Sequence, residues 1–267
     1  MLDYVAIGHI AQDLTPSGVR LGGTVSYAAL TAKALGQRTG LVTAAARGAV
    51  TTGLEAVEVC RVLSAASTVF ENVYTPAGRV QTLHSRADRL SLAAVPAEWR
   101  TAGIIHLAPI ADEVDPALAS QFPGSFVGLT PQGWMRRWDG DGRVYYSEWT
   151  EAAAGLAAAS AAVISIEDVE GDWALAERWA AAARVLAVTE GARGATVFAA
   201  GERQHFPAPT VTVVDGTGAG DIFAAAFFVR LHHGGDPAEA AQFAIALATD
   251  SVTRVGIAGV PGTLSSK

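Results

Sequence analysis

The chain has 267 residues, 50% of them hydrophobic, and a net charge of −7, so we expect residues 1–267 to form one domain. The acidic balance, without a run of Lys or Arg, argues against nucleic acid and membrane surfaces as partners. A single cysteine, Cys60, excludes an internal disulfide framework, and with no signal-like or membrane-spanning segment we expect a cytoplasmic protein.

Strand-like and helix-like runs alternate along the chain, which is typical of a doubly wound α/β domain with a mostly parallel sheet. The strands predicted for this sheet are residues 4–10, 39–45, 104–107, 126–129, 162–166, 185–188, 195–199, 203–206 and 211–214. The predicted helices are residues 25–35, 52–63, 115–121, 151–160, 173–183, 219–233 and 237–252, the last beginning with Pro237 after Asp236.

Asp13 comes just after the first predicted strand. Ligands of open α/β sheets bind outside the carboxyl ends of the strands, so we interpret Asp13 as a candidate ligand residue.

Residues 67–74 and 79–85 alternate between apolar and polar side chains, and a turn with Pro76 separates them. This pattern predicts a small β-hairpin lid within residues 66–88, with Phe70, Asn72 and Tyr74 covering a substrate. An antiparallel edge pair in the main sheet is almost as compatible with the pattern.

Residues 215–221 (DGTGAGD) follow a β-branched run and precede a helix-like run. A glycine turn at a helix N-terminus exposes backbone N–H groups, which bind anions and phosphate above all. The acid at the start of the helix, Asp221, would repel a phosphate, so we interpret it as the acceptor of a proton from an attacking hydroxyl. A plain strand-to-helix turn remains the alternative; the segment is neither a P-loop nor a dinucleotide fingerprint.

Three segments, in this order along the chain, resemble motifs of the PfkB (ribokinase-like) carbohydrate kinases. They are residues 22–29 (GGTVSYAA), 188–195 (VTEGARGA) and 215–223 (DGTGAGDIF). The resemblance implies a three-layer αβα sandwich with a β lid, ATP as phosphoryl donor, Mg²⁺, and a small sugar or polyol as acceptor.

The resemblance also implies roles for individual residues. Asp221 matches the catalytic base, and Gly218, Ala219 and Gly220 match the anion hole. The residues implied for substrate binding are Asp13, Gly22, Gly23 and Tyr27, and those implied near the nucleotide are Thr189, Gly191, Gly194 and Thr217. Residues 165–168 take the place of the family's Asn-x-x-Glu motif, so Asp168 and Glu167 are expected to act on the metal through water.

Residues 130–137 and the Gly-Gly-x-x-x-Tyr variant are similar to a branch that contains inositol kinases. In that reading Arg136 clamps the transferred phosphate; a surface arginine on a loop is an equally weighted alternative. The short connection between Asp13 and Gly22 predicts a lid reduced to the single hairpin, and hence a monomer or a dimer formed elsewhere. The competing functions are a nucleoside kinase and a non-catalytic sugar or nucleotide sensor.

Overall fold

The structure is a computed structural model that describes residues 1–75 and 78–262. Its strands are β1 (Tyr4–Ile7), β2 (Ala11–Thr15), β3 (Gly18–Gly22), β4 (Thr39–Ala45), β5 (Glu58–Leu63), β6 (Thr68–Thr75), β7 (Gly78–Ser85), β8 (Ile104–Leu107), β9 (Phe126–Leu129), β10 (Arg136–Trp138), β11 (Val144–Tyr146), β12 (Ala161–Ser165), β13 (Val185–Thr189), β14 (Ala195–Ala199) and β15 (Glu202–Phe206). The α-helices are α1 (Thr24–Ala34), α2 (Ala152–Ala158), α3 (Trp173–Ala182), α4 (Ala219–His232) and α5 (Pro237–Ser251). Single turns of 3₁₀ helix lie at Leu92–Ala94, Ala97–Trp99, Pro116–Ser120, Pro131–Met135, Ile166–Val169, Gly191–Arg193 and Gly256–Gly259.

A nine-stranded sheet forms the centre, in the order β15-β14-β13-β12-β9-β8-β1-β4-β5. All of its neighbouring pairs are parallel except β13–β14 and β14–β15. Helices α1, α4 and α5 pack together on one face, while α2 and α3 pack on the other. Strand β1 shows why both faces need cover, because Tyr4 and Ala6 enter one apolar core and Val5 and Ile7 enter the other. The predicted three-layer αβα fold is confirmed.

A separate four-stranded sheet, which we call the lid, has the order β3-β2-β6-β7. The predicted hairpin of β6 and β7 is present, but the prediction that the lid is reduced to it is wrong. The residues between Asp13 and Gly22 form a second hairpin, β2–β3, and β2 pairs in parallel with β6. The connection is short because a two-residue turn, Pro16-Ser17, joins the two strands directly.

Two other predicted elements are wrong. The helix predicted at residues 52–63 is instead strand β5, which pairs in parallel with β4 at the sheet edge. Strand β5 has the sequence EVCRVL, in which the two polar residues, Glu58 and Arg61, are three positions apart as on one face of a helix. Its side chains are exposed or half-buried, so the sequence shows neither a strand period nor a buried apolar run. The strand predicted at residues 211–214 is an irregular segment in which Val213 and Val214 are exposed. The N–H groups of Val214 and Asp215 donate to the carbonyl oxygen of Val252, which ties the segment to the end of α5.

Buried hydrogen bonds hold the base of the lid. The His9 ring lies between the Thr68 hydroxyl at the start of β6 (2.7 Å from Nδ1) and the Asp88 carbonyl after β7 (2.9 Å from Nε2). A carbonyl can only accept, so Nε2 donates to Asp88. The Thr68 hydroxyl, which also accepts the Ala87 N–H, can then donate to Nδ1. These contacts fix both ends of the β6–β7 hairpin to the central sheet.

Within residues 1–75 and 78–262, no helix has the length and apolar character needed to cross a bilayer.

Candidate active site

A cleft of about 800 Å³ lies between the lid and the carboxyl edge of the central sheet. The lid contributes Asp13, Arg20 and Asn72 to its lining, while the core contributes Tyr27 from α1 and Thr217 from the glycine turn. Parallel strands place their ligand-binding loops at this edge, as expected for an open α/β sheet.

The glycine turn, residues 215–220, leads directly into α4. Gly218 is the N-cap of α4 and has a φ of 80°, a left-handed conformation that favours glycine. A Cβ at Gly218 would collide with the ring of Tyr27, so a side chain is excluded for a second reason. Gly216, Thr217 and Gly220 are exposed. Because the first N–H groups of a helix have no intrahelical acceptor, this turn presents donors at the positive end of α4.

Asp221 lies half-buried in the first turn of α4. Burial raises its pKa to about 7, and the negative charges of Asp168 and Asp13 act in the same direction. The Thr24 hydroxyl, which hydrogen-bonds the Asp221 carboxylate, and the Arg136 guanidinium oppose that rise. Burial thus outweighs the start of α4, whose positive end would otherwise favour the ionised carboxylate at neutral pH. A pKa near neutrality suits a general base.

Asp13 lies in β2 and points over Gly22 of β3. Its carboxylate occupies the space that a Cβ at Gly22 would fill, which explains the glycine at that position. The next residue, Gly23, is the N-cap of α1 and packs against the backbone of Ala11. Burial raises the pKa of Asp13 to about 6, and the charges of Arg20 and Arg136 hold it below the value that burial alone would give. The predicted acceptor residues Asp13, Gly22 and Gly23 thus adjoin one another at the base of the lid.

Arg136, at the start of β10, is half-buried and lies beneath the lid. Its guanidinium donates to the carbonyl oxygen of Ile110 (2.9 Å) and lies 5.7 Å from the ring centroid of Phe70. Its charge affects both Asp13 and Asp221. The alternative that Arg136 is a surface arginine is not what the structure shows.

The residues expected near the nucleotide lie at the same carboxyl edge. Thr189 ends β13 and its hydroxyl donates to the carbonyl of Ile164 (3.3 Å). Gly191 begins the single turn that follows, and Gly194 ends it. Thr217 is exposed in the glycine turn, where its N–H donates to the Asp215 carboxylate (2.9 Å).

The expected metal residues lie in the single turn Ile166–Val169. Asp168 accepts the Gln132 amide on one oxygen (2.8 Å) and the Ser165 N–H on the other (2.9 Å), so it closes a capping box. Glu167 is exposed. Among residues 1–75 and 78–262, no three His, Cys, Asp or Glu side chains gather as a metal cage. A Mg²⁺ ion that keeps its waters and binds substrate phosphates needs only one or two carboxylates, so Asp168 fits that kind of site.

Of the three lid residues expected to cover a substrate, Asn72 lines the cleft and Phe70 is buried beneath the lid. The side chain of Tyr74 lies outside what the structure describes. Arg20 was missed altogether, although it lies directly opposite Asp13 in the β2–β3 pair and lines the cleft. The signals available in the sequence are the turn residues Pro16-Ser17-Gly18 and the short alternation Val19-Arg20-Leu21 that follows them.

The sequence profile of the family described as "pfkB family carbohydrate kinase" matches residues 152–261. The resemblance to the PfkB family is confirmed. A pyrophosphate-dependent kinase of the ribokinase family, solved with a pyrophosphate analogue and myo-inositol, is 23% identical with a TM-score of 0.81, over 93% of this chain and 94% of that one. The ribokinase of Thermotoga maritima is 20% identical with a TM-score of 0.75, over 98% and 97% of the two chains. A cytidine kinase of Thermococcus kodakarensis is 24% identical over 261 residues, covering 88% of this chain and 90% of that protein. At these identities the likeness to solved structures establishes the ribokinase-like fold.

Proposed function

We propose that this protein transfers the γ-phosphoryl group of ATP to a hydroxyl of a small sugar or polyol. The observation that carries the proposal is the position of Asp221. It is a half-buried carboxylate with a pKa of about 7, beside the exposed glycine turn and close enough to Asp13 for their charges to interact. Phosphoryl transfer to an alcohol needs a base that deprotonates the hydroxyl, a group that holds the acceptor and donors that stabilise the phosphates. Asp221, Asp13 and the N–H groups of the glycine turn are suited to these three tasks.

In this mechanism the acceptor lies in the cleft with a hydroxyl directed at Asp221. Asp221 takes the hydroxyl proton as the oxygen attacks the γ-phosphorus and the bond to the departing ADP oxygen breaks. The N–H groups of Gly218 and Gly220 stabilise negative charge that develops on the phosphoryl oxygens. The Ala219 N–H, which makes a long hydrogen bond to the Gly216 carbonyl (3.3 Å), joins them when it exchanges that acceptor for a phosphoryl oxygen. Arg136 adds a positive charge near the two carboxylates and is suited to contact the transferred group.

Mg²⁺ is part of the proposal, with Asp168 and the exposed Glu167 as the residues that would hold it, together with the donor phosphates. When bound, it supplies charge neutralisation on the phosphates. The residues of the chain orient the acceptor and remove its proton.

In this proposal the lid keeps water from competing as acceptor. Asp13 is half-buried at its base, and Asn72 reaches the cleft from β6. An acceptor held by Asp13 would be covered by the lid, so the phosphoryl group is transferred to the acceptor more often than to water.

Two alternatives are favoured by particular observations. The match to a cytidine kinase supports a nucleoside as acceptor, and the likeness to a pyrophosphate-dependent kinase supports pyrophosphate as donor. A non-catalytic sensor is the least supported alternative, because a ligand sensor has no need for a base such as Asp221 with a pKa near neutrality.

The test is a matrix of donors and acceptors. ATP and pyrophosphate are each offered with inositols, pentoses, hexoses, sugar acids and nucleosides, and phosphorylated product is detected by ³¹P NMR. We expect product with ATP and an uncharged polyol or sugar. Turnover of nucleosides alone would establish the first alternative, and turnover with pyrophosphate alone would establish the second. Binding without turnover of any pair would support the sensor.

A further inference from the structure

Arg20 is the one positive charge that the lid contributes to the lining of the cleft within residues 1–75 and 78–262. In β3 it lies directly opposite Asp13 of β2, and directly opposed residues of an antiparallel pair share a face of the sheet. Its Nη1 also lies 3.9 Å from Oδ2 of Asp215 in the glycine turn. Arg20 therefore stands between two carboxylates, one from the lid and one from the core.

The second carboxylate, Asp215, has its own structural partners. Its oxygens accept the N–H groups of Thr217 (2.9 Å) and Gly256 (3.0 Å), so it stays fixed whether or not Arg20 approaches. A fixed anion on the core side holds the Arg20 guanidinium in the cleft although its side chain remains 47% exposed. This restraint keeps the positive charge near Asp13 without a direct ion pair to it.

Asp13 needs such a charge because its surroundings disfavour ionisation. Burial raises its pKa to about 6, and Arg20 is the larger of the two positive influences that oppose the rise. The ionisable groups that face Asp13 or share its cleft, from every element around it, are Arg20, Arg136, Tyr27, Asp221, Glu71 and Asp215. Negative charges predominate in this set, so removal of Arg20 shifts Asp13 towards its neutral form.

We propose that Arg20 is a positioning residue that keeps Asp13 negatively charged, and thereby able to accept hydrogen bonds from two acceptor hydroxyls at once. A protonated Asp13 has one oxygen committed as a donor and binds a polyol less well. The role of Asp13 in binding the acceptor rests on the proposed function, whereas the effect of Arg20 on the charge of Asp13 can be measured without any acceptor.

The direct test is an NMR titration of the Asp13 carboxyl carbon, in protein labelled with ¹³C at aspartate side chains and assigned with Asp13→Asn. We expect a midpoint near pH 6 in the wild type, from the pKa of Asp13. Arg20→Gln should raise that midpoint by about one unit, the lower end of the effect of a nearby opposite charge. Arg20→Lys should restore it, and Arg61→Gln, at an exposed position of edge strand β5, is the matched control and should leave it unchanged.

An unchanged Asp13 midpoint in Arg20→Gln overturns the proposal, and Arg20→Met provides the same comparison should the glutamine variant fold poorly. The second measurement is the acceptor KM. A one-unit shift leaves about one-tenth of Asp13 ionised at pH 6 in place of one half, so KM should rise about fivefold at that pH and much less at pH 8. A KM that rises equally at both pH values indicates a merely structural role and also overturns the proposal. A shifted midpoint in a protein that phosphorylates no acceptor would uphold the role of Arg20 and contradict the proposed function.

Discussion

Replacement of Asp221 by Asn is the most informative perturbation of the proposed chemistry. The amide keeps the shape and can still contact the Thr24 hydroxyl, but it cannot accept a proton from the acceptor. General-base catalysis contributes on the order of 10²–10⁴-fold, so we expect kcat to fall by about that factor. ATP should bind equally well or more tightly, because a negative charge near the phosphates has been removed.

The pKa of Asp221 also determines how activity depends on pH. A group with a pKa of about 7 is about one-tenth ionised at pH 6 and about nine-tenths ionised at pH 8, so kcat/KM should rise about tenfold over that range. Asp13, with a pKa of about 6, makes kcat/KM fall more steeply at lower pH. Because Asp13 and Asp221 interact, the pair titrates in two apparent steps. In Asp221→Asn the step near pH 7 should disappear and only the lower one should remain.

The assay couples ADP release to a spectrophotometric signal over pH 5.5–9, with ATP binding followed by calorimetry on the same samples. Asp141→Asn, which makes the same change at an exposed turn, is the control and should retain full activity. A variant that keeps wild-type kcat with its best acceptor would refute the assignment of Asp221 as base. Loss of ATP binding together with activity would show that the substitution acts on the glycine turn.

Three further results are expected. Asp13→Ala should raise the KM for the acceptor and leave the KM for ATP nearly unchanged, as initial-rate kinetics will show; an unaltered acceptor KM removes Asp13 from the site. Gly218→Ala should destabilise the fold by about 1–3 kcal/mol and weaken phosphate binding, because φ at this position is positive and the new methyl group collides with Tyr27. Gly216→Ala, where a methyl group has open space, is the control and should change neither property. Thermal denaturation measures the stability and calorimetry measures the phosphate binding. Asp221→Asn should also raise the Tm at pH 8 but not below pH 4. The pKa of Asp221 is higher in the folded protein than in the unfolded chain, so the unfolded chain ionises first as pH rises from 4 towards 7. This difference lowers the stability of the wild type by up to a few kcal/mol, and Asp221→Asn avoids the loss. Equal Tm values for the wild type and the variant at pH 8 would contradict this.

The central sheet was predictable because most of its strands are buried on both faces and therefore appear as apolar runs. Residues 39–45, 104–107 and 126–129 were predicted with the bounds that the structure has. Strand β5 was mistaken for a helix because an edge strand with exposed side chains carries no such run. Residues 211–214 show the opposite error, in which a β-branched run predicts a strand that does not form. The segment is exposed and irregular, and its N–H groups at residues 214 and 215 donate to the Val252 carbonyl after α5.

The site was predicted through its motifs, and the structure adds what motifs do not contain. The proximity of Asp13, Asp221 and Arg136 depends on a lid folded over the sheet edge, and their pKa values depend on burial. Arg20 was invisible for the same reason that the β2–β3 hairpin was. The expectation of a monomer or a dimer formed away from the lid stays a prediction, and its premise of a reduced lid no longer supports it; light scattering on the intact protein tests it.

The parallel pairing of β2 with β6 has a consequence for how the protein is made. The two strands are separated in the chain by β3, α1, β4 and β5, so no contiguous piece of the sequence contains a complete lid without part of the central sheet. During synthesis the β2–β3 hairpin leaves the ribosome before β6 does, so β2 lacks its partner strand for that time. The β2–β6 pairing also forms slowly, because the two strands are far apart in the sequence. We therefore expect nascent chains that end before β6 to expose an unpaired β2 edge, which makes truncated forms of this protein candidates for chaperone binding and aggregation.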